Sequence, residues 1–218
     1  MLSNLQTWTI VGLGALIWLP LSVLGVATGG PAAVLWLSDL LAIALALISA
    51  FERWWWRWPP LHPRIVGTPD MRGTWRGMLT SSWIDPAMES ARPPKVVYLA
   101  IRQTLATVWV RLLTNESASD QMVGSVKKDP ASEDWLLSYT YRNTPKLPLR
   151  KTSPEHCGGT FLTIYGEPPT RIEGEYWTSR DTKGTLAMDA RVEAVAQSYV
   201  DAEALTYETP VEHAAQDS

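Results

Sequence analysis

The segment Glu173-Gly174-Glu175-Tyr176-Trp177-Thr178-Ser179-Arg180-Asp181-Thr182-Lys183-Gly184 runs out of one extended stretch, turns and starts the next. Side chains alternate between the two faces of an extended chain. Tyr176, Thr178 and Arg180 therefore share one face, while Glu175, Trp177 and Ser179 share the other. A face that passes from aromatic ring to hydroxyl to guanidinium can stack on a base and then meet a phosphate. In Trp135–Asn143 one face carries Leu137, Tyr139, Tyr141 and Asn143. The same residues also suit a hairpin whose Asp181 and Thr182 cap the turn and whose Tyr rings fill a barrel. On pattern alone that plainer arrangement is the stronger of the two.

Catalytic chemistry finds little support. There is no nucleophile elbow, no phosphate-binding glycine loop and no His-Glu-x-x-His helix. His62, His156 and His213 fall in three separate regions, which argues against a shared metal site. Cys157 beside His156 suggests thiol chemistry, but neighbours on a strand point to opposite faces, and Cys157 reads as a buried, inert side chain. A single cysteine rules out an internal disulfide framework and suits a reducing compartment.

The elements that position these residues read as follows. From about Met71 the hydrophobic period is two. Thr74–Thr80 is a first strand, and Lys95–Thr114 folds as a hairpin, Val96–Gln103 and Thr107–Leu113, turning near Leu105-Ala106. Asp120–Lys127, Asp134–Arg142, Gly159–Tyr165, Arg171–Ser179 and Gly184–Val192 follow, separated by Asn, Pro, Gly and Ser clusters. About eight antiparallel strands over residues 71–192 can close into a barrel, which removes exposed edges and leaves room for one small ligand. Residues 193–218 hold six of the 22 acidic residues and no Lys or Arg, so the rest of the chain carries 19 basic against 16 acidic residues. That tail is expected to fray or to form one weak helix.

The N-terminal quarter has a different character. Residues 1–38 contain no Asp, Glu, Lys or Arg. Residues 5–28 and 32–51 each hold the roughly 20 apolar residues that cross a hydrocarbon core, and Ala27-Thr28-Gly29-Gly30-Pro31 between them is a turn of helix breakers. Two transmembrane helices are expected. Without a basic n-region, a cleaved signal peptide is not. Residues 52–70 then combine Trp54, Trp55, Trp56 and Trp58 with Arg53, Arg57 and Arg64, and Pro59-Pro60, Pro63 and Pro69 favour extended geometry. Indoles among headgroups and arginines beyond them describe a membrane boundary, and the positive-inside bias places both chain ends in the cytoplasm. Asp39, the only ionisable residue within either span, marks a site for contact between spans or with other copies, or else a protonated carboxyl close to water.

In order along the chain, the hairpin anchor, "VVYLAIRQT", "VRLLTNESASD", "WLLSYTYRNTP", "SPEHCGGTFLTIYG" and "GEYWTSRDTKGTL" resemble the two-transmembrane, β-strand-rich effectors of bacterial CBASS anti-phage systems. Roughly residues 5–191 are covered. The most specific elements are Tyr139-x-Tyr141-x-Asn143-x-Pro145, His156 before Gly158-Gly159, and Tyr176-Trp177-Thr178-x-Arg180-x-Thr182-x-Gly184. The resemblance implies a barrel receptor at the inner membrane. It would bind a cyclic dinucleotide made by a partner synthase, assemble into homo-oligomers and compromise the bilayer, with no enzymatic activity or cofactor of its own. It also implies a ligand site, assigned to Arg102, Gln103, Tyr139, Tyr141, Asn143, His156, Tyr176, Thr178, Arg180 and Thr182. Gly73-Thr74-Trp75 supports a second expectation, a membrane-anchored lipocalin-like module for a lipid or small molecule.

Overall fold

A computed structural model describes residues 31–85, 90–91 and 93–207. The chain divides into two units, Met1–Gly67 with Thr104–Ala106, and Thr68–Gln103 with Thr107–Ser218.

In the first unit, helix α1 spans Pro31–Arg53 and contains the second predicted span. Proline at the opening position costs no hydrogen bond there. Exposed side chains at Leu41, Ile43, Leu45 and Leu47 line its described part. A 3-10 turn, Trp55–Arg57, follows. Residues 58–65 do not run extended as the prolines suggested. They form successive turns in which the N–H groups of Leu61 and His62 donate to Trp58 O at 2.7 and 2.9 Å, since the φ that proline imposes serves a turn equally well. Trp54, Trp55 and Trp58 are exposed, whereas Trp56 is fully buried, its ring edge-on to His62 at 5.8 Å. Among the described residues no helix is long and apolar enough to cross a membrane. The first predicted span, 5–28, and the Asp39 side chain lie outside the described residues.

The second unit is built on eight strands: β1 Gly73–Ser81, β2 Lys95–Gln103, β3 Val108–Leu113, β4 Ser117–Lys128, β5 Trp135–Pro145, β6 His156–Tyr165, β7 Arg171–Thr178 and β8 Lys183–Val192. They close an antiparallel barrel in the order β1-β8-β7-β6-β5-β4-β3-β2. Each predicted strand is present, with ends shifted by up to three residues. The β3–β4 ladder is short, pairing only Arg111–Leu113 with Asp120–Ala118. Gln121 extends this seam with its side chain, accepting from Val110 N at 2.9 Å and donating to Val108 O at 2.8 Å.

Inward-facing side chains change character along most of the strands. At the end where β1 begins, Met71, Trp75, Leu99, Ile101, Leu137, Leu162, Ile172 and Met188 pack into a plug with no exposure to solvent. Towards the opposite end the inward positions become Lys95, Ser117, Ser119, Asn143, His156, Thr178 and Gly184. Half of the barrel is filled and half is polar. That gradient creates the site.

The plug is locked by charge and by an indole. Trp75 Nε1 donates to Met71 O at 2.8 Å, and the Arg191 guanidinium lies 5.3 Å from the Trp75 ring. Arg191 also donates to Asp70 O and Arg72 O, both at 2.9 Å, while the Asp70 carboxylate accepts from Arg72 Nε and Nη2 at 2.8 and 2.7 Å. Burial alone would raise the Asp70 pKa, but Arg72 and then Arg191 outweigh it, and the net direction is downward. A carboxylate held below its unfolded value of about 3.9 contributes stability that is complete above that pH and is lost as pH falls through the folded value. Asp70→Asn is therefore expected to be less stable at neutral pH and to lose less additional stability than wild type between about pH 4 and 2. Denaturant melts across that range check this, and parallel curves would remove Asp70 from the acid response.

The acidic tail is more ordered than its composition suggests. Val195, Tyr199, Leu205 and Tyr207 pack with Ala196 and Ala202 over the outward side chains of Tyr98, Ala100 and Leu113. Thr74 Oγ1 donates to Ala194 O at 2.6 Å and accepts from Ala196 N at 2.9 Å. Helix α2, Tyr199–Glu203, is capped by Ser198. Residues 208–218 lie outside the described residues. Cys157 is exposed, not buried: even-numbered positions of β6 face inward, so 157 falls on the outer surface.

Candidate functional site

The polar half of the barrel encloses a cavity of about 410 Å³, within the roughly 300–1,000 Å³ of small-molecule sites. Its floor is Leu79, Leu112 and Leu186, and its rim carries Lys95, Glu116, His156 and Arg180. Hydroxyls from Ser81, Thr114, Ser117, Ser119, Thr178 and Thr182 fill much of the wall between.

Two tyrosines supply ring faces. Tyr141 on β5 and Tyr176 on β7 both line the cavity, and each is the cross-strand partner of a glycine, Gly158 and Gly184. A Cβ at Gly158 would stand 2.6 Å from Tyr141 Cζ, and one at Gly184 would stand 2.8 Å from Tyr176 Cε1. Glycine at these positions lets each ring lie flat against the neighbouring strand. Burial raises the pKa of both phenols, with Tyr176 adding to the effect at Tyr141 and Ser81 opposing it at Tyr176. Both stay neutral at physiological pH and do not repel an anion.

The β7–β8 turn presents Arg180. Asp181 adopts φ 59° there, and Thr178 Oγ1 lies 2.6 Å from Thr182 Oγ1. Arg180 N donates to Thr178 Oγ1 at 3.2 Å, and Arg180 Nη1 donates to Ser153 Oγ at 2.9 Å. A planar guanidinium on a rim of hydroxyls is a phosphate-binding arrangement. Pro154 O pairs with His156 Nδ1 at 3.1 Å, which leaves Nε2 for another partner.

Of the ten residues assigned from sequence, seven meet at this cavity: Tyr141, Asn143, His156, Tyr176, Thr178, Arg180 and Thr182. Three do not line it. Tyr139 lies buried among the core side chains, its pKa raised by burial first and then by Tyr141. Arg102 is exposed on the outer surface, one residue out of phase with the inward positions of β2. Gln103 faces inward at the plugged end, where its amide accepts from Met71 N and donates to Pro69 O, both at 2.9 Å. Sequence reasoning missed Lys95, Glu116, Ser117 and Ser119. Strand alternation could have found the two serines, because Ser119 is the register partner of Asn143. Among the described residues no group of three or more potential metal ligands occurs.

An eight-stranded barrel plugged at one end, with a cationic, hydroxyl-rich and aromatic cavity at the other, is a receptor for a small polar ligand. Residues 66–190 match the family model for Cap15, cyclic dinucleotide receptor domain. The match takes in more than half of the chain, and the chain belongs to that family. No curated protein matches it. The domain is a sensing module of the kind found in CBASS effectors, and its cyclic dinucleotide is a ligand rather than a cofactor.

Proposed function

We propose that the protein is a membrane-bound CBASS effector whose barrel holds a cyclic dinucleotide in the polar cavity and whose N-terminal helices then assemble and breach the inner membrane. One observation carries the ligand site: the Arg180 guanidinium stands on the rim of a cavity that also offers the rings of Tyr141 and Tyr176. A phosphate needs a cation, and two bases need π-faces, each stacked base contributing about 1–3 kcal/mol. The lipid-binding alternative fits this cavity poorly. An acyl chain would set hydrocarbon against Lys95, Glu116, His156 and Arg180, with only a few apolar side chains such as Leu79, Leu112 and Leu186 to match it.

The membrane role rests on different residues. Exposed Trp54, Trp55 and Trp58 border a hollow with Phe51, Arg57 and Leu61, the mixture that suits a headgroup region. Arginines at 53, 57, 64 and 72 follow the second predicted span, with none between the spans, which supports an orientation with both termini in the cytoplasm, where a partner synthase would make the ligand. Asp39 is the proposed contact between copies. In liposomes loaded with dye, the full chain should leak on addition of the cyclic dinucleotide it binds. Asp39→Leu should insert and bind but leak little, because it removes the one ionisable group within either predicted span. Ligand-independent leakage would sink the effector mechanism, and full leakage by Asp39→Leu would remove Asp39 from it.

A further inference from the structure

The cavity is chemically lopsided, and the uneven part is an acceptor corner where β3, β4 and β5 meet. Glu116 is the only carboxylate lining the cavity among the described residues. A carboxylate inside a site for a dianion needs an explanation. Lys95 Nζ donates to Glu116 Oε2 at 2.9 Å, which offsets its charge and leaves Oε1 to accept. On the adjoining wall Asn143 Nδ2 donates to Ser117 Oγ and to Ser119 Oγ, each at 2.8 Å. With both amide hydrogens engaged, Asn143 Oδ1 is an acceptor only. Asn143 is 7% exposed and Ser119 3%, so the amide is held rigidly by groups out of bulk water. Arg180, the strongest donor of the cavity, comes from the β7–β8 turn on the other side of the ring of strands.

Resting on the receptor reading above, we infer that the Glu116–Asn143 corner is a base-reading subsite selective for guanine. Guanine alone among the common bases presents adjacent N–H donors, N1–H and the 2-amino group, on its pairing edge. Glu116 and Asn143 line the same cavity, and two acceptors presented side by side from it would match that edge. Adenine offers one amine beside an acceptor nitrogen, and uracil one N–H between two carbonyls, so each would set lone pair against lone pair. Glu116 and Asn143 are the reading residues. Ser117 and Ser119 are positioning residues, because they hold the amide with its oxygen free.

The test is calorimetric titration of the full chain in detergent with cyclic di-GMP, cyclic di-AMP and cyclic di-UMP. Wild type should prefer cyclic di-GMP by about tenfold or more, the discrimination expected of one good bidentate contact to a base. Glu116→Gln places a donor against the guanine edge. It should weaken cyclic di-GMP by about tenfold while leaving cyclic di-AMP within about twofold. The Ser117→Ala/Ser119→Ala double variant frees the amide to turn over and should lower the cyclic di-GMP to cyclic di-AMP ratio, a readout that a general loss of stability would not move. Preference for cyclic di-AMP or cyclic di-UMP, or equal weakening of all three by Glu116→Gln, would overturn the assignment and leave the receptor reading intact. Binding of none of the three would overturn both.

Discussion

Trp75→Ala is expected to destabilise the barrel by about 3–5 kcal/mol, the usual cost of deleting a buried indole. Trp75 has no exposed surface, fills the plugged end beside Met71 and Met188, and donates its ring N–H to Met71 O at 2.8 Å. Its loss also removes the ring beneath Arg191, a side chain that holds the backbone of Asp70 and Arg72 to the start of β1. Domains of this size are stable by only about 5–15 kcal/mol, so the variant should melt well below wild type and express poorly. Trp109→Ala is the matched comparison. Trp109 lies on the outer face, 52% exposed, and its removal should cost about 1 kcal/mol or less. Denaturant unfolding of the two variants checks the contrast, and similar midpoints would mean that the plug is not the stabilising core.

Arg180→Ala is expected to weaken cyclic dinucleotide binding by about 10- to 100-fold, the equivalent of losing one charge-assisted contact of roughly 1.5–3 kcal/mol. Arg180 lines the cavity and is steadied by Ser153. Lys183→Ala should change affinity by less than about twofold, because Lys183 is exposed, outside the cavity lining, and paired with Trp177 on the outer face. The two cations are three residues apart in sequence and carry the same charge. Equal losses would point to a diffuse electrostatic attraction, and the specific rim site would fall.

The strands and the polarity gradient along them are readable from period-two alternation: β6 passes from Ile164 and Leu162 through Thr160 to Gly158 and His156. Parity is not readable where a strand offers both faces to apolar neighbours. Tyr98 and Ala100 are buried along with Val97 and Leu99 because the C-terminal segment covers them from outside, so β2 shows no alternation over those residues and the face of Arg102 is hidden in the sequence. The ordered part of the tail is hidden for the same reason. Its small side chains, Ala196 and Ala202, look weak until the flat surface they fit is known. Gln103 resembles a ligand-binding amide by type alone, and only the folded chain shows its hydrogen bonds spent on residues 69 and 71. Glu116 and Lys95 lie 21 residues apart, and their pairing depends on the β2–β3 register, which sets Tyr98 opposite Leu113 and so carries Lys95 to Glu116 just beyond the end of β3.

Hydrogen–deuterium exchange of the full chain with and without saturating cyclic dinucleotide locates the ligand. Protection is expected at the open end, in residues 114–119, 141–145 and 176–184, with exchange at 71–75, 101–108 and 188–192 unchanged. Protection centred on the plugged end, or no difference anywhere at a ligand concentration that saturates binding, would contradict it.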